Sequence, residues 1–318
     1  MKVAAVADIG GTYTRVGLVS PDGHLIASHR WLPDSRSDAP GMIRDLVGHI
    51  LRLAEDCRVE WQTIAGLGVC VAGELDARTG YLYDAVNLGW RELPLAALLE
   101  QESGLPALIE MDAHAAALGE AWLGAGQGIR DLALIIVGTG IGAGLILDGE
   151  LYRGDDGLAG EFGHTCVQMD GPACGCGRFG CVEALASGTA IAAAGQAAVH
   201  RGIDTLLKHA NGNGSLTAAD VFAAARAGDA CALRIVRNAG RALGIGITNL
   251  VHLLSPECIV LTGGVAVNGA DVLLPVVRSE VEHGLGYWAR RKPRSILVSM
   301  LADEGGLMGM ARRVFEVG

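Results

Sequence analysis

Apolar positions along the chain follow two periods, about two residues in some stretches and about 3.6 in others, with glycine-rich turns between them. Val3-Ala-Ala-Val-Ala7 predicts a buried strand and Thr14–Val19 its hairpin partner, joined by the turn Asp8-Ile-Gly-Gly-Thr12. A third strand at His24–His29 completes a meander. Ile43, Leu46, Val47, Ile50, Leu51 and Ala54 form one stripe, which predicts a helix over Gly41–Glu55. Ile64–Val71 and Pro106–Met111 read as strands. Leu93–Ser103 reads as a helix closed by Gly104, and Ala113–Leu123 as another.

The first pattern then repeats. Leu132–Val137, the turn Gly138-Thr-Gly-Ile-Gly-Ala-Gly144 and Leu145–Leu147 follow the logic of the first nineteen residues. Two such units suggest a duplicated α/β fold with a cleft between its halves. Residues 186–254 read as mostly helical around a polar Asn211–Ser215 loop. A strand at Ile259–Thr262 runs into Gly263-Gly264, Ser295–Met300 is a final strand, and Glu304–Phe315 is a terminal helix.

Composition narrows the function. With 50% hydrophobic and 19% charged residues, the 318-residue chain is long and apolar enough for two cores. A net charge of −10 argues against nucleic acid or an anionic membrane as the main partner. No leader-like or membrane-spanning stretch is evident, so a cytoplasmic location is expected. Cys174, Cys176 and Cys181 fall within eight residues, a clustering that suggests metal more than disulfides.

The glycine turns suit phosphate. In Asp8-Ile-Gly-Gly-Thr12, Gly10 and Gly11 let backbone amides and the Thr12 hydroxyl approach phosphate oxygens, and Asp8 is placed to hold Mg²⁺. Gly138, Thr139, Gly140 and Gly142 supply a second amide-rich turn, and Gly263-Gly264 a surface for adenine or ribose. The bland alternative for each is a plain tight turn.

Glu161-Phe-Gly-His164 leads to Cys174-Gly-Cys176 and Cys181-Val-Glu183. One imidazole and three thiolates form a closed tetrahedral zinc set, hence a structural one. The alternative is three reduced cysteines in a glycine-rich loop. Glu161 and Glu183 flank the set as carboxylates able to accept sugar hydroxyls. Asp112, between a strand and a helix, reads either as a helix cap or as a base taking a hydroxyl proton.

Together these motifs, with Asn87-Leu-Gly-Trp90 and Ala186-Ser-Gly188, resemble the ROK family of sugar kinases, regulators and open reading frames across nearly the whole chain. The resemblance implies a two-domain actin-like (ribonuclease H-like) sugar-kinase fold. Its domains would be 1–115 with 302–318, and 116–301 carrying a zinc segment over 164–181. It implies Asp112 as general base, Asn87, Glu161, His164 and Glu183 as sugar contacts, and His164, Cys174, Cys176 and Cys181 as zinc ligands. ATP, Mg²⁺ and a sugar are the implied ligands, with direct phosphoryl transfer, domain closure over the sugar, and a homodimer or homotetramer.

Two positions depart from the family pattern. Met111 stands where family kinases commonly carry an Asn that reads a sugar hydroxyl, and His114 replaces a common Asn two residues after the base. Losing such an amide costs about 1–3 kcal/mol of discrimination. Glucose is the leading substrate; N-acetylmannosamine, N-acetylglucosamine, fructose or allose are the alternatives. A sugar-responsive regulator is expected to carry a DNA-binding segment ahead of the first turn, where only seven residues precede Asp8. A non-catalytic sugar-binding protein would not need both Asp8 and Asp112.

Overall fold

The computed structural model describes residues 2–11, 13–32, 38–210 and 214–317, with the Arg291 side chain left aside. Thr12, and Asn211, Gly212 and Asn213 of the expected polar loop, therefore lie outside the described residues. The chain divides into two compact units, 1–128 with 144–159 and 303–318, and 129–143 with 160–302. The expected boundary at residue 115 thus differs from this division, which keeps a whole helix and a later hairpin with the first unit.

In the first unit the elements run β1 (Val3–Ile9), β2 (Thr14–Val19), β3 (Leu25–Trp31), α1 (Ala39–Asp56), β4 (Ile64–Val71), β5 (Glu74–Asp76), β6 (Tyr81–Ala85) and β7 (Trp90–Leu93). They continue through α2 (Leu95–Ser103), β8 (Ala107–Met111) and α3 (Asp112–Leu123). One sheet has the order β3-β2-β1-β4-β8, antiparallel through β3, β2 and β1 and parallel from β1 to β8. Helix α1 starts where the Asp38 carboxylate accepts the Gly41 N–H at 2.8 Å. Its stripe of Ile43, Leu46, Val47 and Ile50 packs with Val3, Ala5, Ala7 and Ile9 of β1 in one core. Because strand side chains alternate, Asp8 falls on the opposite face.

The chain continues with β9 (Leu132–Val137), β10 (Ile141–Leu147), β11 (Glu150–Tyr152), α4 (Val182–Ala186), α5 (Gly188–His200), α6 (Ala218–Arg226) and α7 (Ala230–Leu254). It closes with β12 (Cys258–Thr262), α8 (Gly264–Asn268), α9 (Ala270–Leu285), β13 (Ser295–Val298) and α10 (Gly305–Val317). The second sheet, β11-β10-β9-β12-β13, repeats the first in plan, a hairpin side followed by parallel strands β9, β12 and β13. The expected duplication is therefore present as sheet order. One expectation is corrected. The second glycine turn ends at Gly140, and Gly142 and Gly144 lie inside β10. Gly144 is small because a Cβ there would strike the Ala113 carbonyl and the Ala117 methyl of α3.

In the first unit α10 packs on α3, β4 and β1. A Cβ on Gly309 would clash with the Ala115 carbonyl, and one on Gly119 with the Gly305 carbonyl. Glycine on both helices thus permits backbone-to-backbone approach, and this fixes α3 with Asp112 at its start.

Candidate active site

The first unit gathers Asp8, Gly10, Gly11, Asn87 and Asp112. Parallel pairing aligns Asp8 with Cys70 and Cys70 with Glu110, all on the face toward α10. Asp112 is the first residue of α3, and Met111 occupies the cap position without a side-chain cap bond. The Asp112 Oδ1 accepts the Ala113 N–H at 2.7 Å. It is therefore not the N-cap, although it satisfies one orphan amide of the helix.

Burial pushes the Asp8 carboxyl up to about 6, the Asp112 charge adds to this, and the Cys70 thiol and Arg15 partly oppose it. Burial likewise raises Asp112, against the opposing Ala113 N–H and the nearby His114. Two neighbouring carboxylates that resist ionisation make a place for a cation and for an acceptor of a proton. Gly11 lies against Asn87, whose Cβ would sit 3.1 Å from a Cβ on the glycine. Asn87 stands in the turn between β6 and β7 of a small antiparallel sheet, β5-β6-β7.

Beneath Asp112 is a polar cluster that the sequence did not single out. Glu110 is 1% exposed. Its Oε2 accepts from Arg153 at 2.6 Å and from Arg313 of α10 at 2.6 Å. Its Oε1 lies 3.2 Å from His114 Nδ1, and His114 Nε2 is 2.7 Å from the Ala159 carbonyl. Burial raises the Glu110 carboxyl, but the bonds from His114 and Arg153 outweigh it and the net shift is downward. His114, read as a departure near the substrate, is thus a buried brace. No local signal announces this cluster, because Arg153 and Arg313 lie 43 and 203 residues from Glu110.

The second unit gathers the other predicted residues. Gly188 N–H donates to the Gly138 carbonyl at 2.8 Å, and the Thr189 hydroxyl to the Thr139 carbonyl at 2.9 Å. The Glu183 carboxylate accepts the Ile141 N–H at 2.8 Å and packs against Gly140, where a Cβ would collide with it. The start of α5 and Glu183 therefore hold the turn in shape. Gly263, at φ +87°, lies against Val137 at the end of β9, and a Cβ on Gly264 would meet only the Asn268 amide, at 3.8 Å. Gly138, with nothing within 4 Å of a Cβ, is open. These two glycine pairs share one end of the parallel strands β9 and β12, where α/β sheets bind nucleotides.

The donor atoms of His164, Cys174, Cys176 and Cys181 all lie within 4.8 Å of one another. Cys174 Sγ is 3.6 Å from His164 Nδ1, and Cys176 Sγ is 3.7 Å from Cys181 Sγ. Tetrahedral zinc bonds imply edges of about 3.6 Å for N to S and about 3.8 Å for S to S. The other ring nitrogen of His164, Nε2, faces Glu161 Oε2 at 3.7 Å. The Arg178 N–H and Arg178 guanidinium attend the cluster, and the backbone N–H is the main reason the Cys176 thiol is drawn down to about 6. Glu183 Oε1 stands 3.8 Å from Cys174 Sγ, so one carboxylate joins the cysteine set to the glycine turn. Among the described residues no helix is long and apolar enough to cross a membrane.

A family model described as the ROK family matches residues 4–316. The chain is 39% identical over 308 residues to a glucokinase of Halalkalibacterium halodurans, covering 95% of this chain and 92% of that one. It is 33% identical to an N-acetylmannosamine kinase of Shigella boydii, covering 96% and 95%. Among solved structures it matches a ROK family glucokinase from Streptomyces griseus in complex with glucose and AMPPNP, with a TM-score of 0.83, 33% identity and 99% of each chain covered.

Proposed function

This chain belongs to the ROK family, and we propose that it is an ATP-dependent sugar kinase that forms glucose 6-phosphate from glucose. The observation that carries the reading is the convergence of Asp8, near the end of β1, and Asp112, at the start of α3, near enough that the charge of Asp112 raises the Asp8 carboxyl. The similarity to glucokinases supports it.

Asp112 is the general base. Its raised pKa suits a carboxylate that receives the proton of the attacking 6-hydroxyl. The hydroxyl oxygen attacks the γ-phosphorus of ATP, the bond to the β-phosphate oxygen breaks, and ADP leaves. Asp8 would hold Mg²⁺, whose charge offsets the phosphates, while the Gly11 amide orients phosphate oxygens and Gly10, its N–H bonded to the Tyr13 carbonyl at 3.1 Å, shapes the turn. Gly138, Thr139, Gly140, Gly263 and Gly264 serve the nucleotide, and Asn87, Glu161, His164 and Glu183 serve the sugar. Glu183 also holds the turn through Ile141, so it links the two sets of contacts. Gly142, expected in the turn, lies inside β10.

His164, Cys174, Cys176 and Cys181 would hold a structural zinc ion, since their spacings fit tetrahedral edges. The ion's chemistry is that of a cross-link. We place the protein in the cytoplasm as a homodimer or homotetramer, consistent with reduced cysteines. Light scattering on the purified protein checks the assembly.

Met111 favours a second reading. It stands at the N-cap beside Asp112 with no amide to offer a hydroxyl, so an N-acetylmannosamine kinase, like the Shigella boydii relative, is the alternative. Coupled ADP release across glucose, N-acetylmannosamine, N-acetylglucosamine, fructose and allose tests both. Glucose is expected to give the highest kcat/KM; a preference of tenfold or more (about 1.4 kcal/mol) for an N-acetylated sugar would replace it.

A further inference from the structure

Cys166 has no part in the site described above. It is an exposed free thiol. Val167 N–H donates to the Gly180 carbonyl at 2.8 Å and Val182 N–H to the Thr165 carbonyl at 3.0 Å. Between these two bonds, Cys166 and Cys181 face each other as an antiparallel bridge pair. Such a non-hydrogen-bonded pair sets its Cα atoms about 4.5 Å apart with both side chains on one face. Disulfides take Cα separations of about 4.4–6.8 Å. Cys181 is also the thiol 3.7 Å from Cys176 within the Cys/His set. The strand pairing thus sets one exposed thiol beside a metal-binding thiol at a backbone spacing that a disulfide can span.

We propose that Cys166 is an oxidation site that converts peroxide exposure into loss of the zinc cross-link. The Cys166 thiolate attacks one oxygen of hydrogen peroxide, the O–O bond breaks to give Cys166 sulfenic acid and hydroxide, and the hydroxide takes a proton from solvent to leave as water. The Cys181 sulfur then attacks the sulfenic sulfur. An S–S bond forms, the S–O bond breaks, and the departing hydroxide takes a proton to leave as water. Two thiols lose two electrons and the peroxide accepts them. Cys181 can no longer ligate, which leaves His164, Cys174 and Cys176, and the metal is released. Metal release rests on the zinc reading given above; the disulfide rests on the strand pairing alone. A dithiol reductant restores both thiols.

The test treats full-length protein and its Cys166→Ser and Cys166→Ala variants with hydrogen peroxide. Zinc release is followed with a chromogenic chelator, and disulfides are mapped by mass spectrometry under non-reducing conditions. The expected result is a peptide linking Cys166 to Cys181 and metal released in proportion to it, both reversed by dithiothreitol. Either variant should release metal more slowly, by roughly tenfold or more. Equal release from wild type and variants, or a map showing only Cys174–Cys176, overturns the proposal. Should the purified protein carry no zinc, the zinc reading fails, while the disulfide map still decides the role of Cys166.

Discussion

Asp8 and Glu110 lie on one face of the same sheet; burial raises both, but their net shifts are opposite because His114 and Arg153 outweigh burial at Glu110. Asp8 is raised from 3.8 to about 6 by burial and by the charge of Asp112. A raised carboxyl favours the protonated fold, so its stabilising contribution is complete below about pH 3.8 and is lost as pH rises through about 6. At neutral pH the ligand-free protein therefore carries an unfavourable charge. Asp8→Asn is expected to raise stability by on the order of 2 kcal/mol, visible as a higher melting temperature at pH 7 than at pH 4 relative to wild type, while phosphoryl transfer falls. An unchanged melting temperature at pH 7 would show that Asp8 is not strained. Glu110 behaves the other way, since its carboxyl is lowered from 4.5. Its contribution is present above about pH 4.5 and is lost as pH falls through the folded value. Glu110→Gln leaves Arg153 and Arg313 beside a neutral amide and is expected to cost about 3 kcal/mol, measured by urea unfolding at pH 7, with the loss shrinking toward pH 3.

Helix α1 was legible from its one buried stripe, whereas β1, β4, β8 and α3, buried nearly throughout, were legible as apolar runs bounded by turn residues. The small sheet β5-β6-β7 was not. Its strands span Glu74–Asp76, Tyr81–Ala85 and Trp90–Leu93, with only Leu75, Leu82, Ala85 and Trp90 buried. So few apolar positions show no period, and the pairing that defines the strands is tertiary. Asn87 was readable by family motif, but its place beside Gly11 was not. The cysteine segment was legible for the opposite reason, as it has a chemical spacing and almost no hydrophobic one. Its isolated bridges, Cys166 with Cys181 and Ala173 with Phe179, give it little sheet of its own. Removing the cross-link should therefore be costly. Metal analysis is expected to find about one zinc per chain, and Cys176→Ala or chelation is expected to remove it and lower the melting temperature by several degrees, about 2 kcal/mol or more. A stable, active, zinc-free protein would refute that role.

On the scale of the whole chain, two sheets of like strand order each end in a glycine turn, and the duplicated pattern was evident from two short apolar runs and their turns. The chain's route was less evident. The resemblance already grouped the terminal helix with the first domain, but that residues 144–159 belong to the first compact unit only packing shows: Gly144 against Ala113, and Arg153 on Glu110. Contacts this distant in sequence leave no local trace. The same packing sets the start of α3, and with it the carboxylate on which the proposed chemistry depends. Asp112→Asn removes the proton acceptor with almost no change in volume. The most direct measurement compares ADP release and glucose binding by wild type and Asp112→Asn with saturating ATP and Mg²⁺. The expected result is a fall in kcat of about 10²–10⁴-fold with glucose affinity within a few-fold of wild type. Near-normal turnover by the variant would contradict the account.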